Sequence, residues 1–277
     1  MDVQNILIPI DFSPCSKNAL KVAVELAARW EAHLHLLNVI AMPTPHPDIS
    51  SHVVIEPMLE EYHDEVHKSF EKLEDEIPSL KLVNYHSKDV VGQVTEIIKE
   101  EIDSKRIDMV IMGTKGSHDR LERLLGSISS EVISSCRVPI LVIPENVSHL
   151  DIGKIGYAAD FHSITMPRKL EMVKLLMDTL GAQLTVFNVH HSDEAMAFDK
   201  SRTAKILKKV IGQSKFEFSQ VAVNKIEEGI IQFVEEEELD MLVMMPHRHG
   251  LLERIFHGSM TKKIAMQLRV PLLAIHQ

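Results

Sequence analysis

The sequence predicts an α/β protein built as two tandem, doubly wound, five-stranded and mainly parallel sheets. Three observations carry this. Near-continuous apolar runs of strand length alternate with helical patterns, the signature of a parallel sheet covered on both faces. The same order of elements occurs twice. The chain has 277 residues, more than the usual length of one domain, with 45% apolar and 25% charged residues, the balance of a soluble globular protein.

The elements follow in order. ILIPI is a strand, and a helix starts at about Ser13, an N-cap residue followed by Pro14 in the first helical position. Ala19, Leu20, Ala23, Leu26 and Ala27 recur at helical spacing. LHLLNVI is the second strand, a long acidic helix covers roughly Glu56–Glu76, and KLVNYHS is the third strand. Val91–Lys105 is helical, with Val94, Ile97, Ile98 and Ile102 on one face. DMVIMG is the fourth strand, SISSEVISSC a helix and PILVI the fifth strand. Right-handed crossovers then wind helices onto both faces.

The second half repeats this order, with a shorter segment before its third strand. Asp11 matches Asp160, Val39 matches Val189, Gly126-Ser127 matches Gly258-Ser259, and Arg137-Val138-Pro139 matches Arg269-Val270-Pro271. The duplication places one domain at 1–146 and a second at 151–277, with the boundary near Pro144–Asp151.

Charge and cysteine content exclude several classes. Thirty Lys and Arg stand against forty Asp and Glu, a net charge of −10. Such a chain is a poor match to a phosphate backbone, so nucleic acid is not an expected partner. Two cysteines are too few for a disulfide scaffold and fit a reducing compartment. MDVQNILIPID has no basic leader region, and no apolar stretch is long enough to span a bilayer. A cytoplasmic protein without membrane insertion is expected.

The chemistry concentrates in GTKGSHDRLERLLGS, which follows the fourth strand. Gly113, Gly116 and Gly126 stand at fixed intervals, and Ser127 follows. In doubly wound sheets ligands bind at the carboxyl ends of strands, near a switch in strand order. Asp11, Val39 and the glycine loop all lie at such ends. Glycines let backbone N–H groups approach a phosphate, and Gly126-Ser127 opens a helix whose free amides face the same space. Asp11 is placed to accept from a ribose hydroxyl, and Val39 to offer backbone groups to a base edge. Neither a P-loop nor a G-x-G-x-x-G fingerprint after the first strand is present. Spacing alone leaves open that the glycines only shape turns.

These residues resemble the universal stress protein family. Its nucleotide motif, G-x2-G-x9-G-[ST], is matched by Gly113, Gly116, Gly126 and Ser127. The opening ILIPIDFSPCSKNAL, the valine at Val39 and the closing CRVPILVI resemble the family as well. The resemblance covers nearly the whole chain, in two copies. It implies a Rossmann-like fold of the adenine nucleotide alpha hydrolase type. It further implies that Asp11 and Val39 hold base and ribose, that Pro9, Ile10 and Met112 line the adenine slot, and that Gly113, Gly116, Gly126, Ser127 and Ile128 hold ribose and phosphates. The ligand would be ATP, or AMP or ADP, with magnesium as a possible companion of the phosphates, although no dedicated carboxylate for the metal stands out. The final strands would pair across the two domains as a pseudo-dimer. A homodimer of chains would need its own surface. The implied role is a stress-response sensor or regulator acting through an unidentified protein partner. A slow ATP hydrolase and a nucleotide-independent scaffold are the alternatives; no general base is evident near the phosphates.

The second half departs from the motif. Counting back from Gly258, the first two glycines become Met245 and Arg248, with Pro246 between them. Pro246 has no N–H to donate. The second domain is therefore expected to bind ATP weakly or not at all.

Other features are read as structural. His63 and His67 share a helix face without an identifiable third ligand, so no metal is expected there. Cys15, near a helix N-terminus, is either a reactive thiol or a packed one. Cys136 is read as packing, and Glu235–Glu238 as a solvated charge run.

Overall fold

The computed structural model describes residues 2–40, 52–114, 127–159, 167–191, 200–212, 215–245 and 269–275. In the first half the described elements are β1 (Asn5–Pro9), α1 (Pro14–Trp30), β2 (His33–Ile40), α2 (His52–Glu76), β3 (Tyr85–Val91), α3 (Val94–Lys105), β4 (Met109–Thr114), α4 (Ser127–Ser135) and β5 (Ile140–Pro144). In the second they are β6 (Lys154–Ala158), α5 (Pro167–Leu180), β7 (Gln183–His191), α6 (Lys200–Ile211), β8 (Phe216–Val223), α7 (Ile226–Glu236), β9 (Met241–Met244) and β10 (Leu272–Ala274).

Helix α1 begins where its cap chemistry puts it. The Ser13 side chain accepts from the Ser16 N–H at 3.3 Å, and Pro14 occupies the first turn. The helix ends at Glu31, whose left-handed backbone (φ 55°) returns its N–H to the Ala27 carbonyl. Leu20 and Leu26 are fully buried, and each contributes about 2 kcal/mol of apolar transfer. The third strand lies further along the chain than KLVNYHS suggests. Pro78–Leu82 forms a 3-10 turn, because Pro78 fixes the chain after α2, and Leu80 is buried within the turn. Leu82 is left 79% exposed, so that apolar residue belongs to no strand.

The two predicted five-stranded sheets join edge to edge. The strand order is β3-β2-β1-β4-β5-β10-β9-β6-β7-β8. Pairing is parallel within each half, and β5 meets β10 antiparallel, with Leu141 opposite Leu273. PILVI and its repeat thus cover each other's edges.

One core on the first face of this sheet gathers side chains of α1, α2, α5 and α6; another on the opposite face gathers those of α3, α4 and α7. Equivalent helices share a face while the joining strands run in opposite directions. The pseudo-two-fold therefore runs roughly normal to the sheet. Polar contacts reinforce the joint. The Trp30 indole donates to Thr179 Oγ1 at 2.8 Å, Arg29 donates to the Thr179 carbonyl at 2.7 Å, and Asn146 donates to the Arg269 carbonyl at 2.9 Å.

A matched pair of carboxylates pins the start of the central strands. Asp108 Oδ2 accepts the N–H groups of Gln4 and Asn5, both at 2.9 Å. Asp240 Oδ2 accepts those of Gly153 and Lys154, both at 2.8 Å.

Candidate functional site

In the first half, α1 returns along one face of the sheet and α3 along the other, so strand order switches between β1 and β4. A crevice at the carboxyl ends of these strands is where such sheets take ligands. Pro9 and Ile10 end β1, Val39 lies at the end of β2, and Met112 and Gly113 lie at the end of β4. The parallel register brings these ends together. Ile10 and Met112 are buried, Pro9 and Val39 half-buried, and Asp11 exposed. Ser127 opens α4, and Ile128 in its first turn is exposed. Gly116 and Gly126 lie outside the described residues.

Asp11 is held as a carboxylate. Burial on one side pushes its pKa up. Hydrogen bonds from the Ser13 and Ser16 hydroxyls and from the Ser13 N–H, which lies 3.0 Å from Oδ1, outweigh that and leave it below the ordinary value. An ionised carboxylate at the strand ends is an acceptor for a hydroxyl or amine.

Gly113 has a packing reason as well as any ligand reason. A Cβ on it would sit 2.6 Å from the Cys15 carbonyl oxygen and 2.8 Å from Cys15 Sγ. The first turn of α1 therefore lies directly on the end of β4. Cys15 is the packed thiol of the two readings: it is buried, and its Sγ lies 2.6 Å from the Thr114 carbonyl oxygen.

Sequence reasoning did not single out Asn38. Its buried amide donates to the Ile10 carbonyl at 2.7 Å and ties the end of β2 to the end of β1. Asn188 does the same for the Ala159 carbonyl at 2.9 Å. The signal was the Asn-Val shared by both halves.

His63 pairs with Asp89 of β3, and His67 with Glu71 one turn along α2. Cys136 is buried, which pushes its thiol pKa up despite the Ser135 hydrogen bond. Glu235–Glu238 are exposed. Among the described residues no helix is long and apolar enough to cross a membrane.

The second half keeps the strand ends but changes what stands on them. Met245 occupies the position of Gly113, is buried, and joins the core beneath α5. The rest of the loop after β9, including Arg248 and Gly258-Ser259, lies outside the described residues, as does Asp160.

Comparison with known proteins agrees with this architecture. The chain is 29% identical over 143 residues to Universal stress protein MJ0531 of Methanocaldococcus jannaschii, spanning 50% of this chain and 81% of that one. It is 30% identical over 152 residues to Universal stress protein MJ0577 of the same organism, spanning 50% of this chain and 94% of that one. A crystal structure of a universal stress protein from Archaeoglobus fulgidus superposes with a TM-score of 0.76 at 20% identity, covering 100% of this chain and 99% of that one. The model of the universal stress protein family matches residues 2–144 and again residues 152–276. The chain belongs to the universal stress protein family and carries its domain twice.

Proposed function

We propose that the first domain, residues 1–146, binds an adenine nucleotide at the switch point between β1 and β4, and that the protein acts in a stress response as a nucleotide-dependent regulator. The observation that carries this reading is that the carboxyl ends of β1, β2 and β4 lie side by side at the switch in strand order, with an ionised Asp11 after β1 and α4 opening at Ser127. Asp11 would accept from a ribose hydroxyl. Pro9, Ile10, Val39 and Met112 would surround the base. The glycines, Ser127 and Ile128 would meet ribose and phosphates. ATP is the first candidate, with ADP and AMP as shorter alternatives. Magnesium would ride on the phosphates, since no described carboxylate is set aside for it.

The second domain, residues 151–277, is proposed to bind nucleotide weakly or not at all, because Met245 fills the place of a motif glycine. Nucleotide occupancy would be read by a protein partner in the cytoplasm.

Stoichiometry tests this reading. Protein purified without added nucleotide is denatured, and released small molecules are identified and counted by mass spectrometry and absorbance. One adenine nucleotide per chain, or one calorimetric site for added ATP, is the expected result. Two sites would overturn the assignment of the second domain, and none would overturn nucleotide binding altogether.

A further inference from the structure

Phe12, between Asp11 and the helix cap Ser13, has φ 61°. For a bulky aromatic residue that is a disfavoured, left-handed conformation, and it persists only where surrounding contacts enforce it. The turn it makes is what allows Asp11 Oδ1 to accept from the Ser13 N–H at 3.0 Å while the chain enters α1. Two things hold Phe12 there. Its side chain packs against the core beneath α1 and α2, and its ring and that of Phe70 meet in a T-shaped contact at a centroid distance of 5.1 Å and an angle of 77°. Phe70 lies on α2, the helix that connects β2 to β3.

We propose that Phe70 is a positioning residue for the Asp11 carboxylate, acting through the ring and backbone of Phe12. The inference rests on the nucleotide reading above and deepens it: the aim of the ribose acceptor depends on how α2 is docked. By linkage, nucleotide engaging Asp11 stabilises the docked α2 to the same degree.

The experiment uses the full chain and two ligands, ATP and its 2′,3′-dideoxy analogue, which lacks the hydroxyls that Asp11 would accept. Phe70→Ala weakens ATP about tenfold but leaves the analogue nearly unchanged, since the analogue never engages Asp11. Phe12→Gly gives the turn a residue that adopts left-handed φ without a clamp. In that background, adding Phe70→Ala has no further effect on ATP. Phe70→Leu, which keeps apolar volume without a ring edge, moves ATP affinity in the same direction should the alanine variant fail to fold. Equal weakening of both ligands would overturn the proposal, as would a Phe70 effect that survives in the Phe12→Gly background. Unchanged ATP affinity in folded Phe70→Ala would overturn this inference alone. A natural chain that binds neither ligand would overturn the nucleotide reading with it.

Discussion

At the end of β4 stands Gly113; at the matching end of β9 stands Met245. Around them the two halves are alike. Asn38 and Asn188 tie neighbouring strand ends in the same way, and Asp108 and Asp240 each gather two backbone N–H groups. What differs is the use of the space above the strand end. In the first half the first turn of α1 fills it, and no Cβ fits. In the second a methionine side chain fills it as part of the core. The scaffold contacts are alike in both copies, while the residue at the end of the fourth strand differs between them.

Exchanging the volumes at that position has the largest effect. Met245→Ala leaves a cavity in a buried core and lowers stability by about 3 kcal/mol. Gly113→Ala drives a methyl into the Cys15 backbone and costs about 2 kcal/mol, together with any bound nucleotide. Chemical denaturation of the full chain checks both values. If Gly113→Ala leaves stability unchanged, the close approach of α1 to β4 is not what requires the glycine.

The carboxylates sharpen the comparison from the other side, because they are matched. Asp108→Ala and Asp240→Ala each strip two backbone N–H groups of a charged acceptor, at about 1.5 kcal/mol. Their costs agree within about 0.5 kcal/mol if the halves are equivalent at this end. A large inequality in urea melts would show that one half sets the stability of the chain.

Among the described residues, one source of acid sensitivity lies in the first half. Burial, and then the neighbouring charges of His33, Lys105 and His86, push the His35 imidazole down to about 4, with Glu101 pulling the other way. The unfolded chain takes up that proton near pH 6.5. The stabilisation from neutral His35 is thus complete above about pH 6.5 and is lost as pH falls towards 4. The second half has Thr185 at this place. In His35→Gln, stability measured from pH 7 to 4 falls less steeply. An unchanged slope would assign acid sensitivity elsewhere.

The smallest effect concerns a helix end. Glu31 closes α1 in a left-handed conformation, whereas Gly181 (φ 70°) does so for α5. Glu31→Gly raises stability by about 0.5–1 kcal/mol, read as a shift in the urea midpoint. A loss instead would mean that the Glu31 side chain makes a contact worth more than the strain.

Local signals gave most of the fold. Ser13-Pro14 marked the start of α1, and its apolar spacing picked out the buried face, because caps and periodicity act over a few residues. The third strand is expected too early, at KLVNYHS, because the apolar Leu82 falls in a turn governed by Pro78. The pairing of the final strands is implied by family resemblance, and its antiparallel direction is seen only in the structure, since pairing between distant strands leaves no local pattern. At the site, the residues at strand ends were legible. The second role of Gly113 was not, because glycine in a sequence does not say which atom its missing Cβ makes room for. The Phe12 turn was hidden for a similar reason: an aromatic residue carries no mark of a positive φ.

The seam between β5 and β10 has a consequence for inheritance. In a symmetric dimer made from a single-domain chain, any substitution enters both subunits, so a ligand site is retained or lost in both together. Here the partners across the seam are separate stretches of one chain. A glycine can become a methionine on one side while its counterpart persists on the other, and the continuous sheet still holds the two in fixed proportion. Fusion thus frees one copy to drift towards a purely structural or regulatory surface without ever being without its partner.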